Sequence, residues 1–210
     1  MFHTLPRGLV ALALLPLLSG CSTLLTVAYL VRPNDVPAEY AGLKGSHVAV
    51  VCRPIVELEF SDAGSARELA GVVDQHLRDK VRGINVIGQH EVARWLDENA
   101  WVDYPALGAS LDADYVVGID LEQFRLFEGS TLYRGRAAVT VRVFAVKTGD
   151  VAFEKRIDDF SFPVNGAIPT SDRTEAEFRS MFLTILGQRI ARSFHAYESR
   201  DVFAEDSLTF

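Results

Sequence analysis

Apolar and polar positions along this chain fall into two regimes. Short apolar runs and helical stripes fill residues 47 to 111, and long alternating strands take over from Asp114. His47-Val48-Ala49-Val50-Val51-Cys52 is nearly continuous in apolar character, the pattern of a strand covered on both faces. Ser65-Ala66-Arg67-Glu68 has the form of a capping box, so a helix is expected to begin there. Behind it Leu69, Val72, Val73, Leu77 and Val81 share one helical face, and Gly83 is a natural stop. Ile84-Asn85-Val86-Ile87 supplies a second strand. A strand, helix and strand in succession predict a right-handed crossover and a parallel pair. Val92, Trp95 and Leu96 mark a second helix, and Pro105 to Leu111 a short third one.

After Asp114, Tyr115, Val117, Ile119 and Leu121 alternate with Val116, Gly118, Asp120 and Glu122, as in a half-exposed strand. Val139, Val141 and Val143 repeat the alternation, and Lys147-Thr148-Gly149-Asp150 is a hairpin turn before Val151 to Ile157. The result is an antiparallel meander. A Pro- and Gly-containing loop from Phe162 to Arg173 leads to a last helix, from about Thr174 to Tyr197. Its stripe is Phe178, Met181, Phe182, Ile185, Leu186, Ile190 and Phe194, enough to cover one sheet face. The order β-α-β-α-α-β-β-β-α predicts an α/β (α+β) fold: a two-layer sandwich of a mixed five-stranded sheet with helices, over residues 46–197. Residues 198–210 read as a polar tail.

The N-terminus carries an address. Arg7 precedes an apolar run from Leu9 to Leu18, which has signal-peptide length and falls short of the roughly 20 residues of a membrane span. Leu18-Ser19-Gly20-Cys21 follows and resembles the lipobox of bacterial lipoproteins. That resemblance implies a signal peptide at 1–20, cleavage between Gly20 and Cys21, lipidation (palmitate among the acyl chains) of Cys21, and a lipidated tether at 21–45. The alternative is an ordinary secretory signal with a chance cysteine, or a short membrane anchor. Ser22, in place of an Asp, favours the outer membrane with the domain facing the periplasm.

Composition narrows the functions that follow. The formal charge is −7, and removing residues 1–20 makes it −8, because Arg7 is lost and no acid is. An acidic chain lacks the clustered Lys and Arg that nucleic acid calls for. With Cys21 lipidated, Cys52 is the remaining thiol, which leaves neither an intrachain disulfide nor a cysteine metal site. Cys52 itself reads as a small buried hydrophobe.

The element order and local phrases resemble one family group of bacterial envelope domains. It comprises the curli secretion lipoprotein, the lipoprotein activator of penicillin-binding protein 1B, and the N-terminal domain of the Tol-Pal translocation protein. The phrases are Val48-Ala49-Val50-Val51, the step from Leu107 to Val117 ("LGASLDADYVV") and the hairpin from Val139 to Glu154. Asp112 departs from the Gly usual at that step. The resemblance implies a non-catalytic adaptor or assembly factor of the envelope. A curli-type pore is disfavoured, because the meander's connections are too short for membrane hairpins and the loop at 162–173 carries Pro163, Pro169, Asp172 and Arg173. Phe210 ends the chain as barrel proteins end, with no barrel strands before it.

Candidate chemistry is sparse. Gly108-Ala109-Ser110-Leu111-Asp112 lacks the second glycine of a nucleophile elbow, and no phosphate-binding glycine loop is present. His47, His76, His90 and His195 show no zinc-ligand spacing. Asp112/Asp114 and Asp158/Asp159 suit turns and strand ends better than acid–base work. No catalytic residue, metal or cofactor is therefore expected. Phe124, Arg142 and Phe144, with Arg125, Arg134 and Arg136 nearby, are the expected interface side chains. The expected partners are a membrane, through the lipid, and an envelope protein or further copies of the chain. The rival readings are a small envelope hydrolase or sugar-binding enzyme built from scattered polar residues, and a subunit of a secretion-related oligomer. Cys21→Ser is expected to release the protein from membranes and remove the lipid mass, by fractionation and intact mass spectrometry. A variant that stays bound at unchanged mass would rule Cys21 out as the anchor.

Overall fold

The computed structural model describes residues 35–54 and 59–198. The lipobox with Gly20 and Cys21, the tether's apolar run at 24–31 (too short in sequence to span a bilayer) and the tail beyond 198 lie outside them. Among the described residues no helix is long and apolar enough to cross a membrane.

The apolar run beginning at His47 becomes β2 (His47–Pro54), after a two-residue β1 (Asp35–Val36). β2 pairs in parallel with β3 (Asn85–Val86) on one side and β4 (Tyr115–Glu128) on the other. Its side chains alternate between two cores. Val48, Val50 and Cys52 enter the larger one, and Ala49 and Val51 the smaller. A strand flanked and covered in this way has no solvated face, which is why its sequence shows no polar alternation. The meander continues through β5 (Leu132–Ala145) and β6 (Val151–Phe162), giving the order β3-β2-β4-β5-β6. The loop after β6 adds a short β7 (Ile168–Pro169) that pairs with the start of β5. The fold is α+β with a mixed sheet, in the predicted element order.

Helix α1 (Glu59–Lys80) and helix α4 (Glu175–Ala191) cover one face of the sheet. Helices α2 (Gln89–Glu98) and α3 (Tyr104–Ser110) add a smaller layer on the other face, over the parallel strands. The two helical layers explain why β2 must be apolar throughout. The meander, by contrast, has one apolar face and alternates.

Local chemistry fixes the helix ends. Thr174 and Glu177 form a reciprocal capping box at α4. The side chain of Asp103 accepts the Ala106 N–H at 2.7 Å, and Pro105 sits in the first turn of α3. At α1 the expected cap is not a cap. The helix already runs from Glu59, and Ser65 lies within it, 3% exposed. The four-residue pattern matched, but the chain before it is also helical. The last helix is shorter than its pattern suggested. It ends at Ala191, turns through a 3₁₀ segment at Arg192–Phe194 and finishes in β8 (Tyr197–Glu198), with Phe194 still fully buried.

Two further residues lie deeper than the sequence placed them. Leu43 and Tyr40, assigned to the tether, reach the larger core, where Tyr40 stacks on Phe153 with ring centroids 5.5 Å apart. The Tyr40 N–H donates to the Ser193 carbonyl at 2.9 Å.

Sheet and helix approach closely at Gly135 on β5. A Cβ there would lie 2.3 Å from Cδ2 of Phe182 on α4. Phe182 is held by Phe124 and Phe160, at centroid distances of 5.8 and 5.7 Å, so its ring has nowhere to swing. Gly135→Ala is expected to cost about 1–3 kcal/mol in urea unfolding through overpacking. Adding Phe182→Leu should recover part of that loss; wild-type stability for the single variant would show that the contact is loose.

Candidate functional site

The solvent face of the meander carries a ladder of charged side chains. Regular alternation places Asp120 and Glu122 on β4, Thr140 and Arg142 on β5, and Glu154, Arg156 and Asp158 on β6 on that face. Arg142 Nη1 donates to Asp120 Oδ2 at 2.6 Å, and its Nε donates to Glu154 Oε2 at 2.6 Å. One step along, the Thr140 hydroxyl donates to Glu122 Oε1 at 2.6 Å and Arg156 Nη2 to Glu122 Oε2 at 2.8 Å. Arg156 Nε also pairs with Asp158. Asp120, Glu122, Gln123, Ala138, Arg156 and Asp158 line an open groove of about 560 Å³.

An aromatic cluster adjoins the ladder at the end covered by α3. Tyr104, 8% exposed, donates its hydroxyl to Asp120 Oδ1 at 2.5 Å. Its ring lies against Gly118, where a Cβ would come within 2.7 Å of Cε1. Phe144 stacks on Tyr104 and Trp101 meets it edge-on, both with centroids 5.0 Å away. The guanidinium of Arg53, at the end of β2, sits 4.1 Å over the Trp101 ring. Glycine at 118 thus admits the tyrosine that ties the smaller core to the charged face.

Two buried groups beside Asp120 are held in their neutral forms. Burial, then the negative charge of Asp120, pushes the Tyr104 phenol well above its ordinary range. Burial and, after it, Asp120 likewise raise the Cys52 thiol, so Cys52 is a protonated core side chain rather than a nucleophile. Among the described residues no group of His, Cys, Asp and Glu is placed to hold a metal ion.

Of the expected interface residues, Arg142 lies on the charged face, and Phe144 is half-buried on the same side, packed against the smaller core through Tyr104. Phe124 points the other way. The ladder between β4 and β5 is irregular between Leu121 and Gln123, and this extra residue turns Phe124 into the core beneath Phe182. Arg125 and Arg136 lie directly opposite each other on the solvent side of the bulge, and Arg134 reaches Glu128 and the Val164 carbonyl, both at 3.4 Å.

The remaining candidates have local roles. The His47 ring hydrogen-bonds the Asp112 carbonyl through Nδ1 at 2.8 Å, and its backbone N–H donates to Asp114 Oδ2 at 3.0 Å. Asp112 takes φ 54°, the left-handed conformation that glycine usually supplies, which accounts for the family's Gly at that step. Tyr104, Asp120, Trp101 and Arg53 escaped the sequence reading. Their one legible signal was Asp120, an acid inside an apolar strand.

No protein-family model and no curated protein sequence matches the chain. Solved structures do. The PelC dodecamer from Paraburkholderia phytofirmans matches at 15% identity, covering 77% of this chain and 95% of that one, with a TM-score of 0.46. Lipoprotein GNA1162 from Neisseria meningitidis matches at 12% identity over 70% and 99%, with a TM-score of 0.45. The LpoB C-terminal domain from Salmonella enterica matches at 14% identity over 68% and 91%, with a TM-score of 0.37. Bacterial lipoproteins are thus among the structures this chain is similar to.

Tyr104→Phe should cost about 1.5–3 kcal/mol, the range for a hydrogen bond to a charged group. In a double-mutant cycle with Asp120→Ala, which removes the acceptor, read by urea unfolding, the two losses should be strongly non-additive. Additive losses would mean that the bond contributes nothing.

Proposed function

We infer that this chain is a lipid-anchored, non-catalytic adaptor or assembly factor of the bacterial envelope, held at the outer membrane through Cys21 and facing the periplasm. The observation that carries this reading is the meander face. Helices α1 and α4 take up the apolar side of the long strands, and the opposite side presents an ordered ladder of fixed charges beside an aromatic–arginine cluster. Side chains already held in one geometry lose little freedom when a partner docks. Trp, Tyr and Arg are also the residue types that anchor protein interfaces.

The ladder has a sign. Within the ladder Asp120, Glu122, Glu154 and Asp158 outnumber Arg142 and Arg156, while Arg125 and Arg136 lie beyond the bulge, so the ladder end of the face complements a partner's lysine or arginine. Nucleic acid, with its phosphates, does not. Docking there should weaken with salt, since the outer carboxylates are solvated.

A photo-crosslinking residue placed at Ala152, exposed on β6, tests the reading in intact cells. One adduct of defined mass is expected, and it should fall sharply in a Glu154→Lys background, which reverses an exposed acid of the ladder. An adduct at twice the mass of the chain would identify the partner as another copy. Absence of any adduct, with crosslinking also blank at Gln123 across the groove, would overturn the adaptor reading.

A further inference from the structure

A second concavity lies away from the charged face, on the other edge of β2. Strand β3 is two residues long and pairs only with His47 and Val48. The Ile87 N–H still reaches the Val48 carbonyl at 2.8 Å. At the next step no strand continues, and the side-chain amide of Gln89 takes over, donating to the Val50 carbonyl at 3.1 Å. Beyond that point the β2 edge opens between α1 and α2 into a cavity of about 430 Å³, within the roughly 300–1,000 Å³ usual for small-molecule sites. It lies at the carboxyl end of β2, where the chain has crossed to β3 on one side and to β4 on the other. Open α/β sheets place ligands at such a crossing point.

The lining has a clear chemical character. Val51, Pro54, Ala66, Ala70, Val92, Ala93 and Leu96 give it an apolar body, with Cys52 beside them as a neutral thiol. Its polar members are Arg53, Arg67 and Gln89, and the described lining holds no carboxylate, in a chain of net charge −7. Arg53 is positioned by its contact with the Trp101 ring, and Arg67 sits exposed on α1. Strand alternation adds backbone groups. The Val48 and Val50 carbonyls point to this edge, so the N–H and C=O of Cys52 do too. Gln89 is braced from behind by Asp74 at 3.3 Å, itself paired with Arg78 at 2.8 Å.

We propose that this cavity is a binding site for a small amphiphilic anion, a single short alkyl chain ending in a carboxylate. The chain lies against the alanines and Val92, and the carboxylate is met by the guanidinium groups at the rim. Alanine at 66, 70 and 93 is what keeps the space open. The cavity shares Arg53 with the aromatic–arginine cluster but opens on the other edge of β2, and its test does not depend on the adaptor reading.

The test uses the full chain in native membranes, photolabelled with a diazirine-bearing decanoate and mapped by peptide mass spectrometry. Adducts are expected within Val51–Pro54 or Val92–Leu96, competed by decanoate and far less by decanol. Arg67→Glu, an exposed change, should lower adduct yield about tenfold, the equivalent of one charge-assisted hydrogen bond. Ala93→Phe should abolish labelling by filling the space. Arg67→Glu also guards against the case in which the filled variant misfolds. Labelling elsewhere, labelling unchanged in both variants, or equal competition by decanol would overturn the proposal.

Discussion

Burial of β2 on both faces is the constraint from which the rest of the architecture follows. A strand with parallel neighbours needs crossover connections, and here the crossovers are helices. α1 carries the chain to β3 on one side, and α2 and α3 carry it to β4 on the other. Because α1 lies on one face and α2 and α3 on the other, β2 must send apolar side chains both ways. Val48 and Val50 answer α1 and α4, while Ala49 and Val51 answer α2 and α3. A single polar residue in that run would be left without water on either face. The meander is free of this demand, and it is there that the chain can carry charge.

This division explains what was legible in the sequence. The periodicities of β2, α1, α4 and the meander record burial directly, so element order and sheet type could be read from them. The features that escaped depend on single insertions or on contacts distant in sequence. Phe124 alternates with the solvent-facing set until the irregularity after Leu121 reverses it, and nothing in the residue types marks that bulge. Tyr104 meets Asp120 only because Gly118 lets its ring approach the strand. Asp112 shows the converse. Its departure from glycine was visible, and the left-handed backbone at that position gives the reason a glycine is the more usual choice. The cavity beside β2 was invisible because it arises from where β3 stops, and strand length is the least secure part of a pattern reading.

The charged ladder contributes less to stability than its extent suggests. Exposed ion pairs are worth about 0–1 kcal/mol each, since solvent screens the attraction and the side chains lose freedom. The fold is therefore held by the two cores, with the ladder adding little to them. Tyr104 is the exception, because it is buried and its hydroxyl ties Asp120 to the smaller core. Through it the orientation of one carboxylate on the charged face is fixed by the same packing that fixes β2.

That coupling decides where a partner's cation can act. At Asp120 both carboxylate oxygens are already engaged, one by Tyr104 and one by Arg142, so a newcomer would have to displace a short hydrogen bond. Glu154 and Asp158 differ. Their side chains are 55% and 71% exposed, and each is held by one arginine. A lysine or arginine arriving there keeps most of its hydration until contact and adds to an ion pair instead of breaking one. If a partner docks on this face as proposed, contact therefore falls to its outer strand, β6, with Asp120 and Tyr104 holding the geometry behind it.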